Sequence, residues 1–406
     1  MMMRFSAILV LTLFAGLQCG PASEKPATAS AEKSWADIER TARGQTVRMT
    51  MWQGDPYINA YMRDYVTPAL ASRYGVNLQI SAGQGAQIVT TLMTETEARK
   101  ERNSFDIAWI NGETFYQLRQ IKALYGPFLD QLPNAQYIDF DNRFIKYDFQ
   151  QEVNGYEAPW GNVQLTIIYN SARVPDPPRT RAALAEWVKI HPGRFTIDSS
   201  FTGMTVLKGW MIDIAGGEPV LAGPFDDKKY AMYSARLWDY VNGIKAGFWK
   251  HGETFPTDVS QLHQMFAAGE LDFTMSNNDG AVDNGVVQGI FPATSRAYVF
   301  DGGTIQNTHY LGIPRKAPSL EGALVTINFM LSPEAQVRKL RPEVWGDGTV
   351  LAIHRLPPEW QKQFAVVPLR RYGPQRAEIQ SKALMELAPE YMIRLYEDFR
   401  THVVQK

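Results

Sequence analysis

One cysteine in 406 residues, Cys19, removes several chemistries at once. Disulfide staples need two thiols, and zinc clusters and iron–sulfur centres need several within the folded domain. Charge excess is equally absent: 41 basic residues stand against 42 acidic ones, a formal net charge of −1. Without a basic block, general affinity for nucleic acid is not expected, because it draws on the release of many phosphate counterions. After the N-terminus no apolar run reaches the roughly eighteen residues that cross a bilayer. Familiar catalytic signatures are missing too. The six histidines form no H-E-x-x-H pair, and after residue 33 there is no G-x-S-x-G elbow, S-x-x-K motif or complete glycine-rich phosphate loop. No cofactor or metal is expected.

What is present is an ordinary packed domain, with 45% apolar and 12% aromatic residues. It is preceded by a leader: Met1 to Arg4 is a short basic start, and Phe5 to Leu17 is an apolar stretch suited to a secretory signal but too short to span a membrane. Gly20 to Lys33, rich in Pro, Ala, Ser and Glu, reads as a flexible tether. Two readings of the cut stay open. Cys19 stands where a bacterial lipoprotein is cleaved and acylated, although Gln18 is larger than the usual preceding residue. Ala27-Thr28-Ala29 and Ala29-Ser30-Ala31 are A-x-A sites for ordinary cleavage. Either way the mature domain begins near residue 34, exported and cysteine-free.

From Gln45 short apolar runs alternate with longer amphipathic ones, the signature of an α/β domain with a mostly parallel sheet. Strands are expected at 47–51, 76–80 and 105–110, with helices at 57–74, 86–99 and 114–122. Extended segments follow at 156–159 and 163–169. Pro175 to Pro178 reads as an inter-lobe crossing. A second α/β series has helices at 181–190, 203–215, 226–244, 257–268 and 281–289, and strands at 194–197 and 271–275. The segment 304–313 is the candidate return crossing, and His309 and Tyr310 fall on it. Ser332-Pro333-Glu334 places a capping hydroxyl, a helix-starting proline and a first-turn acid before a helix at 333–340. A last helix is expected at 389–403. Two α/β units joined by more than one crossing predict two lobes closing by a hinge around a central cleft.

Ligands of open α/β sheets bind beyond the carboxyl ends of the strands. The turns expected there contain Trp52, Gly54 and Asp55; Gly83-Gln84-Gly85; Asn111 and Glu113; Trp160 and Asn162; Thr202 and Gly203; and Ser276, Asn277 and Asp279. Their charge is one-sided, with Asp55, Glu113 and Asp279 and no lysine or arginine, so a pocket built from them favours a cation or a neutral polar solute. Trp52 and Trp160 offer faces on which a cationic ring can stack. Thr202-Gly203 at a helix start offers backbone amides to an anionic group. Each residue also has a plainer reading: Asp55 and Thr202 as helix caps, the glycines and amides as ordinary turns, the tryptophans as packing.

These residues resemble a known group. Ala42-Arg43-Gly44-Gln45-Thr46-Val47 leading into Trp52-Gln53-Gly54-Asp55, then Phe105-Asp106-Ile107 through Trp109-Ile110-Asn111-Gly112-Glu113, Ala158-Pro159-Trp160-Gly161, Phe201-Thr202-Gly203, Leu331-Ser332-Pro333-Glu334-Ala335-Gln336 and Val344-Trp345-Gly346-Asp347 are similar to segments of bacterial ABC-importer solute-binding proteins of extracellular family 1, within them the YnjB-like, thiamine-type branch. The resemblance implies a periplasmic-binding-protein type II fold. Its two α/β lobes would be residues 34–165 plus 305–345 and 166–304, with 346–406 a C-terminal helical segment packed on them. It implies a monomeric receptor in the periplasm or at the outer face of a bacterial membrane that hands a small cationic or neutral solute, thiamine-like or polyamine-like, to a permease powered by an ATPase. The iron-binding relatives carry adjacent tyrosines, and no Tyr-Tyr pair occurs here. Two rivals stand beside this expectation: an exported hydrolase or lyase using a serine or a carboxylate pair in the same cleft, and a tethered interaction protein with no small ligand.

Overall fold

The computed structural model describes residues 33–405, so the leader, most of the tether and Cys19 lie outside the described residues. The first strand, β1 (Thr46–Met51), alternates at its start and buries Val47, Met49 and Met51. It pairs in parallel with β2 (Asn77–Ala82) on one side and β3 (Ile107–Ile110) on the other. The connection from β1 to β2 is helical throughout, from Pro56–Tyr61 through a π-turn at Met62–Val66 into Thr67–Tyr74. Asp55 caps its start by accepting from the amides of Tyr57 and Ile58, and Gly75 ends it in the left-handed region at φ +66°.

A two-stranded pair, β4 (Tyr147–Asp148) and β5 (Gln151–Glu152), precedes the long β6 (Glu157–Gln164). After one residue, Leu165, the chain enters β7 (Thr166–Asn170), the middle strand of a second sheet with β8 (Phe273–Ser276) and β9 (Ser295–Tyr298). Residues 299–303 lead back to β10 (Thr304–Gly312), buried along its whole length, which pairs antiparallel with both β6 and β3 and in parallel with the short β11 (Ala383–Leu384).

Three expectations are corrected here. The large sheet is mixed rather than mostly parallel, and the small sheet is wholly antiparallel. No strand forms at 194–197: Phe195 and Ile197 are buried, but the backbone there joins no sheet, and Arg194 is occupied with Asp272 and the carbonyls of Gly269 and Glu270. Pro175 to Pro178 is not a crossing, since it lies between β7 and the helix Arg181–Ile190; the passage between sheets is at Leu165.

The helix Pro333–Leu340 starts as the sequence predicts, with the Ser332 hydroxyl accepting from the Ala335 amide at 3.2 Å. Before it runs an element that periodicity does not reveal, the helix Leu320–Met330, buried continuously from Gly322 to Met330. A helix apolar on every side belongs inside, and this one fills the core beneath β1. The C-terminal helix Pro389–Phe399 inserts Tyr391, Met392, Leu395 and Phe399 into the other core, around the small sheet and the helix Phe201–Ala215.

The segment before that helix is clamped by two aspartates. Asp279, after β8, has no exposed surface and binds Arg370 at 2.6 Å, Arg376 at 2.8 Å and the Gln164 amide at 3.1 Å. Burial pushes its carboxyl up, but the two guanidiniums outweigh that and hold it below the usual carboxylate range. Asp283 accepts from the amides of Arg371, Tyr372 and Gly373. Replacing Asp279 with Ala strands two part-buried guanidiniums, so urea unfolding should show a loss of about 3–5 kcal/mol; a loss below about 1 kcal/mol would deny the clamp its role.

Candidate functional site

The carboxyl ends of β1, β2 and β3 open onto a cavity of about 750 Å³. Trp52, Gly54 to Ile58, Gly83 to Gln87 and Asn111, Glu113 and Thr114 form one side; Ser199 to Thr202, Ser276 to Asn278 and the helix Val259–Ala267 form the other. The two sides touch where the Ser260 hydroxyl donates to the Gly54 carbonyl at 2.8 Å. Ile393 and Tyr396 of the C-terminal helix also reach the wall.

Eleven of the residues singled out from sequence line this cavity: Trp52, Gly54, Asp55, Gly83, Gln84, Gly85, Asn111, Glu113, Thr202, Ser276 and Asn277. Trp160, Asn162 and Gly203 do not. The turn expected at Trp160-Gly161-Asn162 is the interior of β6, and Trp160 is fully buried behind the wall against Trp109, His309 and Trp345. Asn162 is consumed by Thr308, Gln306 and Arg376. Gly203 serves close packing, since a Cβ there would lie 1.8 Å from the Asp198 carbonyl oxygen.

Sequence reasoning missed the aromatic groups that do face the cavity, Trp109, Trp345, His309 and Tyr396. In the sequence Trp109 and Trp345 stand only within longer similar segments, and His309 only on the return crossing. A buried polar chain orients them. Lys339 donates to Asp347 at 2.6 Å, and His309 Nε2 lies 3.3 Å from the same carboxylate, with its ring stacked on Trp345 at 5.8 Å. Gly161 makes room for this chain, because a Cβ would fall 2.1 Å from Asp347 Oδ2.

The cavity's charge differs from the expected acidic trio. Asp279 does not line it and is taken by Arg370 and Arg376. Asp55 and Asp258 line it as helix caps, and Asp347 is paired with Lys339. Glu113 stands apart. It occupies the first turn of the helix Gly112–Gln120, and its Oε2 is shielded from solvent with no hydrogen-bond partner. Burial pushes its carboxyl up to about 7, against smaller opposing effects of a backbone hydrogen bond and Lys208. No lysine or arginine lines the cavity among the described residues. Opposite Glu113, Asn277 donates to Thr202 Oγ1 at 3.1 Å and leaves its own Oδ1 unpartnered.

A two-lobed α/β fold with such a cavity at the strand ends, walled by aromatics and amides, is the architecture of a solute-binding receptor. The chain belongs to the bacterial extracellular solute-binding proteins, whose family profile matches residues 65–367. It is 35% identical over 327 residues to Protein YnjB of Escherichia coli K12, an alignment covering 80% of this chain and 84% of that protein. Among solved structures it is similar to AfuA of Actinobacillus pleuropneumoniae, a periplasmic binding protein with fructose-6-phosphate bound (TM-score 0.62, 13% identity, 89% of this chain and 99% of that one). It is also similar to the spermidine/putrescine substrate-binding protein PotD of Streptococcus pneumoniae (TM-score 0.60, 14% identity, 88% and 99%). Its role is that of the substrate-binding component of an ABC transporter, a class that works with a membrane permease and an ATPase. Membership implies a periplasmic or extracellular location. The matched family is one of solute-binding proteins rather than enzymes. No helix among the described residues is long and apolar enough to cross a membrane.

The Glu113 carboxyl makes a signed prediction. Its folded-state value, about 7, lies above the ordinary 4.5, so the folded protein pays no penalty below 4.5 and loses stability as pH rises through 7. In ligand-free protein Glu113→Gln should therefore match the parent in thermal unfolding near pH 4.5 and exceed it at pH 8. A variant less stable than the parent at pH 8 would contradict the buried, unpartnered carboxyl.

Proposed function

We propose that the protein captures a small cationic solute, thiamine-like or polyamine-like, by closing lobes 34–165 plus 305–345 and 166–304 around the cavity, with residues 346–406 packed against both. The observation that carries this reading is the unpartnered Glu113 oxygen in a cavity lined by no lysine or arginine among the described residues. A cation entering there ionises Glu113 and supplies the missing partner. Trp52, Trp109 and Trp345 present aromatic surface to it, an attraction of about 0.5–2 kcal/mol for a well-placed cation. Asn111, Thr202, Ser276 and Asn277 hydrogen-bond the rest of the solute. The fold shared with a spermidine/putrescine receptor supports testing polyamines alongside thiamine. Closure follows only if the solute makes contacts in the closed state that it lacks in the open one.

The exported chain begins either at an acylated Cys19 or at an A-x-A cut, and the intact mass of the mature N-terminus separates the two. For the solute, native mass spectrometry of gently purified protein and calorimetric titration with thiamine, its phosphates, spermidine and putrescine are the tests. Because Glu113 must lose a proton to meet a monocation, affinity should fall about tenfold per pH unit below 7 and level off above it. Absence of binding by every cation, or an affinity for one that is flat between pH 5 and 8, would sink the proposal.

A further inference from the structure

Behind the cavity wall lies an ion pair that lines no part of the cavity. Lys208, in the helix Phe201–Ala215, has no exposed surface, and its ammonium is bonded to the Glu386 carboxylate, itself only 3% exposed. The other oxygen of Glu386 accepts from Asn307 Nδ2 at 3.1 Å, and Asn307 lines the cavity. The ammonium also sits 3.9 Å from the centre of the Phe149 ring. That ring packs on the start of the helix carrying Glu113, for a Cβ on Gly112 would fall 1.9 Å from it. Lys208 is thus one ring away from the helix turn that bears the cavity's uncompensated carboxyl.

The groups that act on Glu113 come from every element packed there. Lys208 favours its ionised form and Glu386 opposes it, while Asp148 on β4 and Tyr396 on the C-terminal helix interact with it as further acids. Burial, with Glu113 and Glu386 adding to it, pushes the Asp148 carboxyl well above the ordinary carboxylate range, and the Lys208 ammonium is bonded to Glu386. Removing Glu386 alone would free the ammonium to compensate Glu113 instead.

We propose that Glu386, which lines no part of the cavity, is a positioning residue that sets the charge of the accepted solute: by holding the Lys208 ammonium in a closed pair it keeps Glu113 available to an incoming cation. This rests on the cationic reading above, but its first test needs no solute. In ligand-free protein the Glu113 carboxyl, followed by ¹³C NMR, should titrate at least about one pH unit lower in Glu386→Gln than in the parent, because a free ammonium now stabilises its charge. In the same variant the affinity for thiamine and spermidine should fall about tenfold or more, and its decline below pH 7 should move to lower pH. Lys208→Met with Glu386→Gln removes the pair as a unit, a change that buried pairs often tolerate, and should restore both the parent titration and cation binding. A merely structural role for Glu386 predicts neither the shift nor the restoration.

An unmoved Glu113 titration in Glu386→Gln overturns the proposal. If that variant does not fold, the double variant decides: one that folds but neither titrates nor binds like the parent overturns it. If the parent binds no cation while the titration shifts as expected, the cationic reading fails and the coupling of Glu386 to Glu113 stands.

Discussion

The hold of Asp279 on Arg370 and Arg376 is the interaction on which the rest depends. A carboxylate without exposed surface, at the end of a strand in the small sheet, reaches the amide of Gln164 at the last residue of β6 and two guanidiniums from the C-terminal segment. Such a group is costly to bury and is tolerated only when every oxygen is engaged. Arg376 extends the network to the side chain and carbonyl of Asn162 inside β6. The point where the chain leaves one sheet for the other is therefore set by charges far apart in sequence, and the clamped segment delivers Glu386 and the C-terminal helix to the back of the cavity.

The cavity itself is ordered by satisfied and unsatisfied polar groups. Around it, acids are spent: Asp55 and Asp258 on helix amides, Asp347 on Lys339. The aromatic faces are fixed because Trp160 is packed behind them and the His309–Asp347–Lys339 chain runs beneath. Among the acids that line the cavity, Glu113 is the one with a buried carboxyl oxygen lacking a partner, whereas a buried polar atom normally finds one. An interior arranged this way costs the empty protein stability and favours the filled one.

Much of the architecture is legible in the sequence, and the failures have physical causes. Alternating apolar runs place β1 to β3 and most helices within a few residues, and Ser332-Pro333-Glu334 marks a helix start by capping chemistry alone. The helix Leu320–Met330 escapes because it is apolar all round and has no period to detect. Phe195 and Ile197 look like a strand because they are buried, yet burial does not require a ladder. At the site, turn residues such as Glu113 and Asn277 are readable because glycines and amides flank them. Trp160 misleads because Pro159 and Gly161 suggest a turn where the backbone continues as a buried strand, and Asp279 misleads because its two partners lie about ninety residues downstream.

The contact between Ser260 and Gly54 has a consequence for how a receptor of this kind can be tuned. Its acceptor is a main-chain carbonyl, which every residue type carries, so only the donor side is open to change by substitution. The Ser260 hydroxyl and the Trp52 ring crowd the same residue, for a Cβ on Gly54 would collide with both. Exchange at Ser260 therefore changes the bond across the cavity and the surroundings of Trp52 together. The contact between the two walls and one aromatic surface of the cavity are in this way joined at a single glycine.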